Sequence, residues 1–358
     1  MKIPIFSTYI NPDSIHKINK ILSSTFLSEG KLVEEFEKKL SANLGMKNPV
    51  TVNSGTSALH LALVLAGVKE GDEVILPAQT FIATGSVILQ QKATPIFADI
   101  DYSTGNILVE DIKNKLSSKT KAIVVVHWGG YPCDMDEIMD LAKKYNIPVI
   151  EDAAHALGAK YKKRSIGEIS DYTCFSFQAI KHLTTGDGGA VACRNIDNYK
   201  EARIKRWFGI DRKNSEPSLL GERKFDIDEL GYKYHLNDFS AGLGIMNLKG
   251  FKNRLNKRLE IANFYQESLS SLDGISLFNY KQDRQSAFWL FGFHVEKREQ
   301  FILALKSKGI TTSVIHQGID RFSIFNNTEK ELMNQRRFDK TQIHIPIHDS
   351  LSFEQAEF

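Results

Sequence analysis

Three short segments of the 358-residue chain carry side chains suited to binding an anion, binding a cation and reacting with a carbonyl group. Thr56 lies in NSGTSALHLAL, Asp152 ends the apolar run PVIED, and Lys181 lies in FSFQAIKHLTTGDGG. A hydroxyl at the start of a helix helps to hold an anion, a carboxylate binds a cation, and a lysine amine forms Schiff bases. The sequence around each residue narrows this chemistry further.

The first segment predicts a strand that ends at Asn53 and a helix that opens near Ser57. Ser54, Gly55 and Thr56 then form the turn between them. Free N–H groups, the helix dipole and a threonine hydroxyl favour a phosphate there, and Gly55 lets the backbone approach closely. Plain N-capping by Ser54 or Thr56 explains the same residues equally well, so these residues alone leave both interpretations open.

The second segment, PVIEDAAHALGA, predicts a buried strand that ends in Glu151 and Asp152 and is followed by small residues. Ala153 and Ala154 leave room for a flat ligand against the backbone, and Asp152 is placed to bind a cationic ring nitrogen. Taken alone, a helix-capping aspartate is the commoner explanation for Asp152.

The third segment places Lys181 in a short turn between an aromatic strand that ends near Ser176 and a glycine-rich loop. A lysine that becomes less basic on desolvation forms Schiff bases, although a solvated lysine is the default for any single residue. Together with Thr56 and Asp152, however, Lys181 completes the groups that pyridoxal 5′-phosphate requires. These are an anion site for its phosphate, an amine for its aldehyde and a carboxylate for its pyridine nitrogen.

Alternating strands and helices are predicted to position these groups. Short apolar runs recur at residues 49–52, 73–76, 94–98, 121–126 and 148–150, separated by amphipathic stretches such as DEIMDLAKKYN. The pattern predicts an α/β fold with a large, doubly wound, mostly parallel sheet. In such sheets ligands bind at the carboxyl ends of strands, which is where the three segments lie.

The pattern changes after about Asn237, where one long helical stretch leads to the strand-like run FWLFGFHVE and a helix EQFILALKSKGI. We therefore expect a large cofactor-binding domain at residues 1–250 and a smaller C-terminal α+β domain at residues 251–358. The chain contains no Pro-rich linker, so the two domains should pack firmly together.

The composition of the chain argues against several classes of binding partner. Forty-six basic and forty-three acidic residues give a net charge of +3, which favours neither a nucleic-acid groove nor a membrane surface. The chain has three cysteines and no C-x-x-C spacing, which argues against a disulfide framework and a structural zinc site. Pro346 lies between His344 and His348 and argues against a helix that would bring both histidines to one metal ion. The sequence has no signal-peptide pattern and no membrane-spanning run, so we expect a cytoplasmic protein.

Beyond these residues, the sequence resembles the DegT/DnrJ/EryC1/StrS sugar aminotransferases, within fold type I of the pyridoxal phosphate enzymes. The likeness covers nearly the whole chain and runs through LSEGKLVEEFEKKLSANLG, NSGTSALHLAL, EDAAHALGAKYKKRSIGEISDY, FSFQAIKHLTTGDGG, GYKYHLNDFSAGLG and IHIPIH. Several motifs in one order make the resemblance specific, whereas any one motif alone is weak.

The resemblance implies a role for each matched residue. Lys181 would form the Schiff base with the cofactor and later move protons, and Asp152 would pair with the pyridine nitrogen. Gly55, Thr56 and Ser176 would hold the phosphate.

Three further positions match family residues around the cofactor. Phe81 would stack on the cofactor ring, although core packing explains a phenylalanine equally well. His155 would lie near the ring and its phenolic oxygen. Asn237 would reach the cofactor phosphate of a partner chain, which implies a homodimer with the active site at its interface, and a helix N-cap is the simpler explanation for Asn237.

The resemblance also implies the reaction: L-glutamate converts the cofactor to pyridoxamine 5′-phosphate, which then aminates a keto sugar. Relatives that remove a hydroxyl carry histidine in place of the lysine, so Lys181 favours transamination. We expect a nucleotide-linked 4-keto-6-deoxy sugar, for surface polysaccharide or glycan biosynthesis. A small phosphorylated ketone, a keto-cyclitol and a non-catalytic cofactor-binding sensor remain alternatives.

Residues on the substrate side are predicted from charge and position. Arg206 and Arg212, in RWFGIDR, offer forked donors for a nucleotide diphosphate, although charged runs are as often solvated surfaces. His316, in HQGIDRF, is a candidate for the rim of the substrate site.

Overall fold

The computed structural model describes residues 2–212, 214–326 and 332–358. Its first strands, in chain order, are β1 (Pro49–Val52), β2 (Glu73–Pro77), β3 (Thr94–Ala98), β4 (Thr120–Val126), β5 (Val149–Asp152), β6 (Lys160–Tyr161), β7 (Arg164–Ser165), β8 (Tyr172–Ser176) and β9 (Gly189–Cys193). A seven-stranded sheet has the order β1-β9-β8-β5-β4-β2-β3. Strand β9 is antiparallel to β1 and β8. The other pairs are parallel, which agrees with the mostly parallel sheet predicted from the sequence.

Helices cover both faces of this sheet. The helices of this part are α1 (Ser14–Ser23), α2 (Lys31–Leu44), α3 (Gly55–Leu65), α4 (Ile82–Gln90), α5 (Val109–Lys115), α6 (Met135–Tyr145) and α7 (Ile196–Lys205). Side chains of β4 alternate between two cores, with Ile123 and Val125 facing α2 and α6, and Val124 facing α3 and α4. Burial on both faces explains why these strands are almost continuously apolar and confirms the doubly wound α/β fold.

Strand register brings the three chemical segments to one edge of the sheet. Gly189, the first residue of β9, pairs with Val52 at the end of β1 and with Ser176 at the end of β8. Asp152, at the end of β5, pairs with Cys174 of β8. The carboxyl ends of β1, β5 and β8 therefore lie side by side.

The C-terminal part contains a second, antiparallel sheet. A short hairpin of β10 (Glu216–Pro217) and β11 (Arg223–Lys224) precedes this part of the chain. The helices and strands that follow the hairpin are α8 (Asp238–Leu248), α9 (Phe251–Leu269), β12 (Ile275–Leu277), β13 (Arg284–Gln285), β14 (Phe291–Val295), α10 (Arg298–Ser307), α11 (Met333–Thr341), β15 (Gln342–Ile345) and α12 (Phe353–Glu357). Strands β12, β14 and β15 form the sheet. The N-terminal residue Ile3 packs in the same core, so the two ends of the chain meet there.

Two predicted elements differ from the structure. The single long helix after Asn237 is two helices, because Gly250 adopts a positive φ of 68° between α8 and α9. The run FWLFGFHVE becomes a strand only from Phe291, since Phe288 has a φ of 45° and the chain bends at Trp289 and Leu290. The division at residues 250 and 251 stays a prediction. Within the described ranges, none of the helices combines the length and apolarity needed to cross a bilayer.

Candidate active site

A cavity of about 520 Å³ lies at the carboxyl edge of the large sheet. It is bounded by the loops after β1, β2, β5 and β8 and by two C-terminal loops. The residues predicted from the sequence that line it are Gly55, Thr56, Phe81, Asp152, His155, Ser176, Lys181 and His316. Asn237, Arg206 and Arg212 are not among its lining residues. A cavity of this size suits a small organic ligand.

Lys181 presents its amine to the cavity from the turn between β8 and β9. Burial lowers the pKa of Lys181 from 10.5 to about 7, and the negative charge of Asp152 opposes this shift. The Nζ atom lies 3.6 Å from the centre of the Trp289 ring. A substantial fraction of the amine is therefore neutral near pH 7, as a nucleophile toward a carbonyl must be.

Asp152 is buried at the end of β5 and accepts two hydrogen bonds. Thr84 Oγ1 donates to it at 2.8 Å and the Ala154 N–H donates at 3.1 Å. Burial raises the pKa of Asp152 despite these bonds and the charge of Lys181. A cation placed in the cavity would stabilise the charged carboxylate. The turn at residues 153–159 contains no helix, so Asp152 is not a helix cap.

Glu151, the residue before Asp152, points to the other side of the sheet. It accepts hydrogen bonds from Ser170 Oγ at 2.6 Å and Thr173 Oγ1 at 2.8 Å, and it lies 2.7 Å from His127 Nε2. Burial raises the pKa of Glu151, but the contact with His127 and the two hydroxyl bonds bring it below its ordinary value. Strand alternation thus leaves Asp152 as the carboxylate of this pair that reaches the cavity.

The turn after β1 has the geometry of an anion site. Ser54 is the N-cap of α3, and its side chain accepts the Ser57 N–H at 3.0 Å. The helix begins at Gly55, two residues before the predicted start, so the N–H groups of Gly55 and Thr56 have no acceptor within the helix. A Cβ at Gly55 would lie 2.9 Å from Ser176 Cβ, which explains why only glycine fits beside Ser176. The capping prediction for Ser54 is confirmed.

Aromatic rings border the space between these groups. Phe81, at the start of α4, is half exposed and lies 5.3 Å from the His316 ring. His155 is buried, and its Nδ1 has no hydrogen-bond partner among the described residues. Burial lowers the pKa of His155 well below its ordinary value, and burial together with the charge of Lys181 lowers that of His316 to about 4. Both rings are therefore neutral at pH 7.

The structure gives Arg206 a different role from the predicted contact with substrate. Its side chain is buried, bonds to Glu37 at 2.6 Å and Glu29 at 2.7 Å, and donates to the Thr51 carbonyl at 2.8 Å. Arg212 is more exposed and lies 3.7 Å from Glu29. Within this chain, both guanidinium groups are directed to carboxylates outside the cavity.

Asn237 is the N-cap of α8, and its side chain accepts the Ser240 N–H at 2.8 Å. The capping prediction for Asn237 is therefore confirmed. Its predicted contact with a second chain stays a prediction.

Sequence reasoning missed two residues that shape the site. Thr84 lies in the first turn of α4 and holds the Asp152 carboxylate. Trp289 comes from the C-terminal part and contacts Lys181. The motif PAQTFIAT contains Thr84 but gives no sign of its partner. Trp289 lies in an apolar run that predicts only a strand, so no local signal identifies it.

Taken together, the described side chains can hold a flat ligand that carries an anionic group, a carbonyl group and a cationic ring nitrogen. Comparison with known proteins shows which family this chain resembles. The model of the DegT/DnrJ/EryC1/StrS aminotransferase family matches residues 8–357. The UDP-4-amino-4,6-dideoxy-N-acetyl-beta-L-altrosamine transaminase of Campylobacter jejuni is 36% identical over 360 residues, which cover 98% of this chain and 93% of that protein.

Solved structures agree. The sugar aminotransferase CalS13 of Micromonospora echinospora superposes with a TM-score of 0.94 at 33% identity, covering 99% of this chain and 97% of that one. Spr1654 of Streptococcus pneumoniae, a proposed sugar aminotransferase, superposes with a TM-score of 0.90 at 28% identity, covering all of this chain and 95–96% of that one. It has been solved in PLP and PMP forms. With a family match over nearly its whole length and these relatives, the chain belongs to the DegT/DnrJ/EryC1/StrS aminotransferases.

Proposed function

We propose that this protein binds pyridoxal 5′-phosphate and transfers the amino group of L-glutamate to a nucleotide-linked 4-keto-6-deoxy sugar. The observation that carries the proposal is the buried amine of Lys181, which shares one cavity with the buried carboxylate of Asp152. A cofactor of this kind needs both groups in one site.

The residues present fit this cofactor. The N–H groups of Gly55 and Thr56 and the hydroxyl of Ser176 would receive the phosphate, since all three residues line one end of the cavity. Asp152 would gain a cationic partner in the pyridine nitrogen, and His155 Nδ1, which has no partner in the described structure, would gain one in the phenolic oxygen. Phe81 has an exposed ring that would cover one face of the cofactor.

Lys181 would act twice. Its neutral amine would be the group that holds the cofactor, and once L-glutamate has displaced it, the freed Nζ would be placed to accept a proton from the Cα of the amino acid. A pKa of about 7 suits this task, because the group accepts and returns a proton at little cost near neutral pH. The bound cofactor supplies the electron sink that makes the Cα proton acidic.

Asp152 would keep the ring nitrogen protonated, which preserves that electron sink. Thr84 and the Ala154 N–H fix the carboxylate in place, so it meets the ring without reorganisation. His155 and His316 are neutral at pH 7 and would contribute hydrogen bonds rather than charge.

The outer wall of the cavity supports the assignment of the acceptor. Ile5, Phe6 and Ile315 line it, and such side chains suit the methyl group of a 6-deoxy sugar better than a hydroxymethyl group. The C. jejuni relative is named for a UDP-linked 4-amino-4,6-dideoxy sugar. Synthesis of such sugars for surface polysaccharides or glycans, in the cytoplasm, is part of the same proposal.

A homodimer would complete the site. Of the lining residues that the structure describes, Lys181 is the one lysine or arginine, yet the substrates carry carboxylate and phosphate groups. The tip of the β10–β11 hairpin exposes Leu219 and Leu220 almost fully, which favours burial against another chain. In this arrangement Asn237 would reach the phosphate of the cofactor bound by the partner chain.

Product analysis tests the proposal. The purified protein, pyridoxal 5′-phosphate and L-glutamate are incubated with a UDP-linked 4-keto-6-deoxy sugar, and products are identified by mass spectrometry. We expect an amino sugar from the unmodified protein and none from Lys181→Ala, while the exposed Lys233→Ala control retains the activity. Amination of a small phosphorylated ketone or a keto-cyclitol alone would contradict the proposed acceptor.

A further inference from the structure

Trp289 lies where it touches both the reactive lysine and the turn that carries it. Its indole is buried, Lys181 Nζ lies 3.6 Å from the ring centre, and its Nε1–H donates to the Ile180 carbonyl at 3.0 Å. His182, the residue after Lys181, is also held, because its Nε2 lies 2.9 Å from the Ala287 carbonyl oxygen. The segment at residues 287–289 therefore bonds to the chain on both sides of Lys181.

The backbone around Trp289 is itself fixed to the turn that follows β4. The Ala287 N–H donates to the Gly130 carbonyl at 3.0 Å, and the Leu290 N–H donates to the Gly129 carbonyl at 3.1 Å. A Cβ on Gly130 would lie 3.0 Å from the Phe288 nitrogen and 3.2 Å from the Trp289 nitrogen. Glycine at position 130 thus permits the close approach that places the indole.

The indole also has aromatic neighbours on the cavity side. The His155 ring stacks on it at 3.8 Å with an angle of 14°, and the Phe6 ring lies at 5.0 Å with an angle of 24°. These contacts leave Trp289 little freedom to rotate, so the surface presented to the amine is fixed. A fixed aromatic face attracts an ammonium group more strongly when both are shielded from water.

We propose that Trp289 is a positioning residue for Lys181, holding the free amine over its ring whenever that amine is not covalently bound. The consequence for catalysis rests on the proposed function. An amine released by L-glutamate must stay beside the Cα atom to move its proton, and the indole restricts where it can go.

The charged groups around Lys181 allow a clear test. His155, His182 and His316 face the amine, and burial lowers the pKa of each one, to about 3 for His182 and about 4 for His316. His182 and His316 therefore stay neutral above pH 5, and the lowered pKa of His155 keeps that ring neutral near pH 7. Asp152 is the carboxylate that faces the amine. A titration of Lys181 near pH 7 is therefore separate from theirs.

The experiment measures the pH dependence of Lys181 acetylation in the full-length protein without cofactor, using acetic anhydride and peptide mass spectrometry. Trp289→Met removes the aromatic face, so the ammonium form loses its contact and the midpoint falls by about one pH unit. Trp289→Phe keeps a ring and restores most of the midpoint. Trp207→Met is the matched control, since that indole lies 4.0 Å from Lys233 Nζ instead, and it should leave the Lys181 midpoint unchanged.

A second measurement needs no tryptophan variant. Protonation of Lys181 should change the tryptophan fluorescence of the unmodified protein, and Lys181→Met should abolish that transition. A Trp289→Met midpoint that is unchanged or raised, or a fluorescence transition that persists in Lys181→Met, overturns the proposal. Neither readout uses the cofactor, so a failure here is distinguishable from a failure of the proposed function.

Discussion

The burial of Lys181 should make the stability of the protein depend on pH in a way that one substitution removes. The pKa of Lys181 falls from 10.5 in the unfolded chain to about 7 in the folded protein. Between these values the unfolded state binds the extra proton, so the free energy of unfolding rises as the pH increases. Below pH 7 both states are protonated, and the full cost of burying the charge remains.

The size of the effect follows from these two pKa values. Linkage gives a gain of about 2 kcal/mol from Lys181 between pH 7 and pH 9. Lys181→Met has nearly the same length and no charge, so the variant should lack this gain. The difference between the two proteins cancels the contributions of the other titrating groups.

Urea unfolding of the two proteins without cofactor, at pH 7 and pH 9 and at equal concentrations, measures this difference. We expect Lys181→Met to be the more stable protein at pH 7, by a margin that is about 2 kcal/mol smaller at pH 9. Lys233→Met is the matched control, because Lys233 also lies over an indole but is exposed. A margin for Lys181→Met that is equal at both pH values would refute a depressed pKa for this amine.

Three other substitutions test separate parts of the site and the fold. Asp152→Asn should slow the reaction with L-glutamate about 100-fold in single-turnover absorbance measurements, because the amide does not stabilise a charged ring nitrogen. Gly55→Ala should weaken binding of the cofactor in a fluorescence titration, since its Cβ would lie 2.9 Å from Ser176 Cβ and would displace the hydroxyl proposed to hold the phosphate; an unchanged affinity in this variant would count against this geometry. Arg206→Met should lower the free energy of unfolding in urea by about 3 kcal/mol, because two buried carboxylates lose their partner, and the folded variant should still bind the cofactor.

Much of the large sheet, and the location of the candidate site at its carboxyl edge, could be predicted from the sequence. Apolar runs separated by amphipathic helices specify parallel strands, and parallel strands collect the residues that follow them at one edge. The sequence therefore predicts that Thr56, Asp152 and Lys181 lie at one edge of the sheet, and in the structure all three line one cavity. Strand alternation, a purely local property, also separates Asp152 from Glu151.

Contacts between distant segments could not be predicted in this way. Trp289 bonds to Ile180 across 109 residues of sequence, and nothing near Trp289 indicates that contact. The sequence predicts that Arg206 binds a diphosphate, because its carboxylate partners, Glu29 and Glu37, lie about 170 residues away and nothing near Arg206 indicates them. A charged residue can be assigned to a ligand only after its partners within the fold are known.

Helix interruptions were the other source of error. The stretch after Asn237 has helical periodicity throughout, and a single glycine does not by itself end such a pattern. The chain turns at Gly250, which adopts a positive φ, and residues 261–265 of α9 then pack in the C-terminal core rather than in the core that holds α8. Local sequence does not encode these tertiary contacts.

The central claim is that Lys181 holds a pyridoxal cofactor that accepts the amino group of L-glutamate. Visible absorption spectroscopy of the purified protein with pyridoxal 5′-phosphate, before and after L-glutamate and without any keto substrate, tests it most directly. We predict a visible band from the lysine-linked cofactor, its loss on addition of L-glutamate as the cofactor becomes pyridoxamine 5′-phosphate, and no band in Lys181→Ala. The same band in Lys181→Ala, or a band that L-glutamate leaves unchanged in the unmodified protein, would contradict the claim.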